Sequence, residues 1–97
     1  MCKYVVLIKF TEKGIGGIAE SVNRADSFHS TAAAAGCTVE ARFWTLGPYD
    51  GVLILSAPDE ETAASVVLSL TKAGNVTTCM LRAFEDDEFW KVLRMMQ

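Results

Sequence analysis

Leu46-Gly47-Pro48-Tyr49-Asp50-Gly51 lies near the middle of the chain, between two apolar runs. It reads as a turn: Pro48 pre-sets φ at one corner, and Gly47, Asp50 and Gly51 tolerate the other turn conformations at little steric cost. With residues 38–46 before it and 52–57 after it, the turn predicts a central β-hairpin. Everything else is read outward from that hairpin.

On the N-terminal side, residues 3–10 are rich in β-branched and aromatic types and predict a first strand, broken by Thr11-Glu12-Lys13-Gly14. From Ile18 the apolar positions Val22, Ala25, Phe28, Ala32 and Ala35 recur at three- or four-residue steps, which predicts one helix over 15–35, closed by Gly36. On the C-terminal side, Pro58 ends the second hairpin strand and Asp59 is a natural N-cap. Glu60 and Glu61 suit the N-terminal dipole of a helix that runs to Gly74-Asn75. Residues 76–84 predict a fourth strand. Glu85-Asp86-Asp87-Glu88 then opens a short terminal helix, with Lys91 and Arg94 in its last turn.

The order β-α-β-β-α-β plus a terminal helix is the split βαβ pattern of ferredoxin-like α+β folds. It implies one four-stranded antiparallel sheet with both long helices on one face, and right-handed crossovers place the first and third strands in the centre. At 97 residues the chain is one domain, 1–97. A domain of this size has a modest core, so 51% hydrophobic residues suggest apolar surface buried against a second copy. A formal charge of −3 without a cationic cluster argues against nucleic acid. The apolar start is too short for a signal peptide or a membrane span, so a cytoplasmic protein without membrane contact is expected. Cys2, Cys37 and Cys79 are odd in number, widely spaced and accompanied by one histidine. They read as buried or semi-buried free thiols rather than disulfides or a metal site.

Alternation within each strand locates a candidate site. The charge-free sets Tyr4-Val6-Ile8-Phe10, Val39-Ala41-Phe43 and Cys79-Leu81-Ala83 are expected to face the helices. The uncovered face then carries Lys9, Arg42 and Arg82 beside Val5, Leu7, Trp44 and Met80. The third strand is apolar at Leu53, Ile54 and Leu55, so its phase stays open. Two such faces packed together would enclose a cleft suited to an anionic or carbonyl-bearing small molecule, with Lys9, Arg42, Trp44 and Arg82 binding it. The same cations at strand ends could instead snorkel to solvent or pair with Glu40. Tyr49 and Asp50 are candidates for moving a proton, although a turn Asp commonly caps its own backbone and a turn Tyr packs over a sheet edge.

The segments Tyr4-Val5-Val6-Leu7-Ile8-Lys9-Phe10-Thr11-Glu12-Lys13-Gly14-Ile15, Arg24-Ala25 with Phe28, Trp44-Thr45-Leu46-Gly47-Pro48-Tyr49-Asp50, Ala57-Pro58-Asp59-Glu60, and Gly74-Asn75-Val76-Thr77-Thr78 with Arg82-Ala83-Phe84 resemble the GYD domain family. Pro48 stands inside the Gly-Tyr-Asp motif that names the family. The resemblance implies the wider dimeric α+β barrel group, in which two subunits pack sheet to sheet around a cavity. Members of that group include cofactor-free monooxygenases, lactone isomerases and haem enzymes; His29 is the one imidazole here that could serve a haem, and no cofactor is expected. The expected protein is a homodimer or higher homo-oligomer that binds a small organic anion. A cofactor-free oxygenase or isomerase and a ligand-free assembly module are the competing readings.

Overall fold

The computed structural model describes residues 1–96. Strands β1 (Cys2–Phe10), β2 (Thr38–Trp44), β3 (Gly51–Ala57) and β4 (Val76–Ala83) form one antiparallel sheet in the order β2-β3-β1-β4, so the first and third strands are central as expected. Helices α2 (Ser21–Ala34) and α3 (Glu60–Lys72) pack on one face of it. Helix α4 (Asp86–Met95) follows β4.

The core lies between sheet and helices. Tyr4 and Val6 of β1 meet Leu53 and Leu55 of β3, with Phe28 and Ala32 of α2 and Val66 and Val67 of α3 above them. Val6 and Leu55 are fully buried, and each such side chain contributes about 1.5–3 kcal/mol relative to its exposed state. The third strand is thereby phased: Leu53, Leu55 and Ala57 point to the helices, and Val52 and Ile54 to the open face. Inside the core, the phenol oxygen of Tyr4 is buried without a hydrogen-bond partner among the described residues. That burial pushes its pKa up.

The expected helix over 15–35 is broken in two. A five-residue helix α1 (Glu12–Gly16) and a 3-10 turn (Ile18–Glu20) precede α2. The paired glycines Gly16-Gly17 are costly in a helix interior, and tertiary contacts hold the first turn elsewhere. Thr11 caps α1 by accepting from the Gly14 N–H at 3.1 Å, and donates its own N–H to the Asn75 carbonyl at 3.0 Å and its hydroxyl to that of Gly74 at 2.6 Å. Lys13 Nζ donates to the Ala73 carbonyl at 2.8 Å, and Arg24 reaches back from α2 to the Gly17 carbonyl at 2.8 Å. The chain passes so close to Asn75 that a Cβ on Gly14 would lie 2.0 Å from its carbonyl oxygen.

Two strands also carry their side chains differently from expectation. In β2 the register shifts between Val39 and Ala41, and this bulge inserts one residue, reversing the alternation beyond it. Val39 faces the core, but Ala41 and Phe43 lie opposite Ile54 and Val52 on the open face, while Arg42 and Trp44 turn to the helix side opposite Leu53 and Gly51. In β4 the partners Phe10↔Val76, Ile8↔Thr78, Val6↔Met80 and Tyr4↔Arg82 place the even positions on the helix side. Thr78 there shares a 3.0 Å hydrogen bond with Thr71 of α3. Arg82 is accommodated because it sits at the strand end: its guanidinium lies over the rings of Phe84 and Tyr4 and pairs with Glu88 of α4 at 3.0 Å.

The open face therefore carries Val5, Leu7, Val52, Ile54, Phe43, Leu81 and Cys79, with Lys9 near one end. At the other end Lys3 pairs with Glu40 and Glu85. Of the three free thiols Cys37 is buried, Cys2 is intermediate and Cys79 is exposed on this face, a correction to the expectation of enclosed thiols.

Helix α4 opens with a capping box, Glu85 and Glu88 each accepting from the other's backbone N–H. The Glu85 backbone N–H and then Arg82 hold the Glu88 carboxyl below its ordinary value of 4.5. The sign follows: a carboxyl lowered in the fold contributes stability above about pH 4.5 that is lost as pH falls through the folded value. Helix content read by far-UV circular dichroism should fall on acidification below that point, and Glu88→Gln should flatten this part of the titration; an unchanged acid profile in the variant would exclude the pair as its source. Gly14→Ala should lower unfolding stability by about 2 kcal/mol through overpacking against Asn75. A urea midpoint within error of wild type would refute that close approach.

Candidate functional site

At the sheet end where β1 runs out and the hairpin turns, a cavity of about 400 Å³ opens between the helices and the strands. It exists because small side chains face it from both helices, Ala25 and Ser27 of α2 and Ser69 of α3, with Ala73 just beyond α3, leaving the sheet uncovered beneath. Ile8, Phe10, Leu53, Phe28 and Leu70 supply an apolar wall. Glu20, Asn23, Arg24, Arg42, Asp50 and Asn75 are among its polar groups, and Trp44 stands at the β2 edge.

The two arginines are held differently. Arg42 Nη2 donates to Asp26 Oδ1 of α2 at 2.7 Å, and its guanidinium lies 5.8 Å from the Trp44 ring centroid. Asp26 is well exposed, so the pair is weakly held and solvent can replace it. Arg24 has no carboxylate within salt-bridge distance among the described residues and instead donates to the carbonyls of Gly17, at 2.8 Å, and Gly14, at 3.4 Å.

Asp50 is bound into the turn. Its Oδ2 accepts from the Phe10 N–H at 2.8 Å, its own N–H donates to the Ile8 carbonyl at 2.7 Å, and its carbonyl accepts from the Thr45 N–H at 2.9 Å. The hairpin is thereby stitched to the end of β1. The Tyr49 carbonyl accepts from the Thr45 hydroxyl at 2.7 Å, and Tyr49 is not among the residues around the cavity. This differs from the local cap expected of a turn Asp, because the carboxylate reaches a strand 40 residues away in the chain instead of its own turn backbone.

Of the residues expected to share a site, the structure brings together Arg42, Trp44 and Asp50 and separates the others. Lys9 is on the opposite face of the sheet, and Arg82 lies at its far end beside Glu88. Leu7 belongs to the open face, whereas Met80 packs against the core. His29 is exposed on α2. Sequence reasoning passed over Arg24 and Phe28 as site residues; their four-residue spacing on one helix places them on a common face, a signal that was available.

Residues 4–93 match the GYD domain. The chain belongs to the GYD domain family. Among solved structures, this GYD chain is similar to the crystal structure of TTHA0845 from Thermus thermophilus, at 25% sequence identity and a TM-score of 0.57, over 88% of this chain and 95% of that one. No curated protein matches the chain. No helix of the described residues is long and apolar enough to cross a membrane.

The geometry makes Asp50 a structural residue of the GYD turn. Asp50→Ala leaves the part-buried Phe10 N–H unpaired and should lower stability by about 1–3 kcal/mol, while Asp50→Asn, which keeps an acceptor, should recover most of it. Thermal denaturation of both variants checks this. Equal losses in the two would mean that charge, not the hydrogen bond, is what the turn needs.

Proposed function

We propose that this GYD-domain protein is a homodimer that binds a small organic molecule carrying a carboxylate or carbonyl group in the cavity between helices and sheet. The observation that carries the reading is the cavity itself. Its volume lies in the usual range for small-molecule sites, its wall is apolar and aromatic, and Arg24 and Arg42 are among the residues that line it. Arg42 is the group that would engage the ligand, exchanging its exposed Asp26 partner for a bidentate contact. Trp44 and Phe28 would flank an apolar body. The site differs in place from the one expected on the open sheet face, and Lys9 and Arg82 have no part in it.

The open face supports the dimer. Val5, Leu7, Ile54, Phe43 and Leu81 form a contiguous apolar surface of the kind that soluble proteins cover. A second copy of the same face is self-complementary under a two-fold axis. Binding rather than catalysis is favoured because the carboxylates that line the cavity are already engaged: Asp50 accepts the Phe10 N–H and Glu20 accepts from the Asn23 side-chain amide.

Benzoate serves as a probe. Amide and indole resonances of Trp44, Phe28 and Asp50 should shift and saturate on titration, and Arg42→Ala should weaken the interaction about tenfold. Absence of any shift at the cavity at millimolar benzoate, or equal affinity in the Arg42→Ala variant, would count against the site. Native mass spectrometry of the wild type should show two chains per particle.

A further inference from the structure

Helix α4 is the part of the chain that its own fold does not use. None of its residues is buried, although Phe89, Val92, Leu93 and Met96 recur at three- and four-residue steps on one face, with Trp90 beside them at 59% exposure and Asp87, Lys91 and Arg94 opposite. Its direction is nonetheless set, by the capping box, by the Arg82–Glu88 pair and by the contact of Phe89 with Phe84 at 6.2 Å between ring centroids. The molecule is elongated, 51 Å along its longest axis. Its radius of gyration of 14.5 Å exceeds the about 12.5 Å of a compact chain of this length.

A second unpartnered apolar patch lies at the opposite end of the sheet. The strand registers put the start of α4 beside Lys3 and Ala83, and the hairpin turn beside Ile8 and Phe10. That separation is about 23 Å for seven residues of strand. At the turn, Leu46 is 103% exposed, and Phe43, near the end of β2 on the open face, is 60% exposed.

We propose that α4 is a docking arm for a second copy of this chain, laid across the partner's hairpin turn in a dimer whose two sheets face each other with strands running in opposite directions. The proposal rests on the dimer reading above and adds its orientation. Charge favours this arrangement. Lys9, without an ion pair among the described residues, marks the hairpin end of the open face, while Glu40, Glu85, Asp86, Asp87 and Glu88 outnumber Lys3 and Arg82 at the other end. Opposed strands bring Lys9 over the acidic end twice; parallel strands would set like charges against each other.

Area points the same way. The open face covers roughly 19 × 23 Å, or roughly 900 Å² of footprint for two copies, from the spacing and rise of its strands. A stable interface buries about 1,200–2,000 Å². Two arms extend the contact beyond that footprint with the exposed Phe89, Trp90 and Val92 of each.

The test uses two full-length variants at exposed positions, Leu46→Asp and Trp90→Lys, with far-UV circular dichroism confirming the fold of each. Each of the two equivalent arm contacts takes the hairpin of one protomer and the helix of the other. Alone, either variant should weaken the dimer about tenfold or more, as loss of an interface anchor does. Mixed, they should form the heterodimer in clear excess over both homodimers by native mass spectrometry, since it retains one unaltered contact and gains one Asp–Lys pair. If only Trp90→Lys weakens the dimer, or the mixture shows no heterodimer excess, the arm does not meet the hairpin. If both variants dimerise as wild type does, the arm proposal falls and the dimer stands. A wild-type monomer at all concentrations overturns the dimer reading and the arm with it.

Discussion

The antiparallel pairing of β1 with β3 on one side and β4 on the other is the constraint on which the rest of the molecule depends. Once Tyr4, Val6 and Ile8 are committed to the helix side, every partner across the ladder is committed too, because directly opposed residues share a face. Leu53 and Leu55 follow into the core, Met80 and Thr78 follow with them, and Val5, Leu7, Ile54 and Leu81 are left on the uncovered side. The apolar open face is thus a consequence of the core. A central strand that is apolar on both sides cannot bury one set without presenting the other.

Close backbone approaches then position the cavity. Asp50 joins the hairpin to the end of β1, and Thr11, Gly14 and Lys13 join α1 to the segment between α3 and β4. These two sets of contacts hold the β1 end, the hairpin and the α3 end around the space that Ala25, Ser27, Ser69 and Ala73 are too small to fill. The polar groups that face it come from separate stretches: Arg24 from α2, Arg42 from β2 and Asn75 from the loop before β4. Arg24 is held by the Gly17 and Gly14 carbonyls, whereas Arg42 rests on the exposed Asp26 and can exchange that partner.

Element order, the hairpin, both long crossovers, the caps at Asp59 and Gly36 and the α+β class were legible from turn chemistry and periodicity. The faces of β1 were legible too, because its lysines mark one parity without ambiguity. The sites in β2 and β4 were not. In β2 a single extra residue at Glu40 exchanged the faces of everything after it, and no residue type in Thr38-Val39-Glu40-Ala41 announces a bulge. In β4 the charge of Arg82 suggested the solvent side, whereas a long side chain at a strand end can bury its stem and carry its charge to Glu88.

What the sequence by itself determined is the set of elements and the amount of apolar surface they must hide, since propensity, capping and period act over a few neighbouring residues. Only the tertiary structure decided which residues share a site, because register is a property of two strands and not of one. It moved Arg42 and Trp44 across the sheet to meet Arg24 and Phe28, separated them from Lys9 and Arg82, and held α1, with Gly14 close against Asn75, apart from α2. A one-residue shift costs little locally and exchanges the two faces of a strand, so alternation alone could not locate the site.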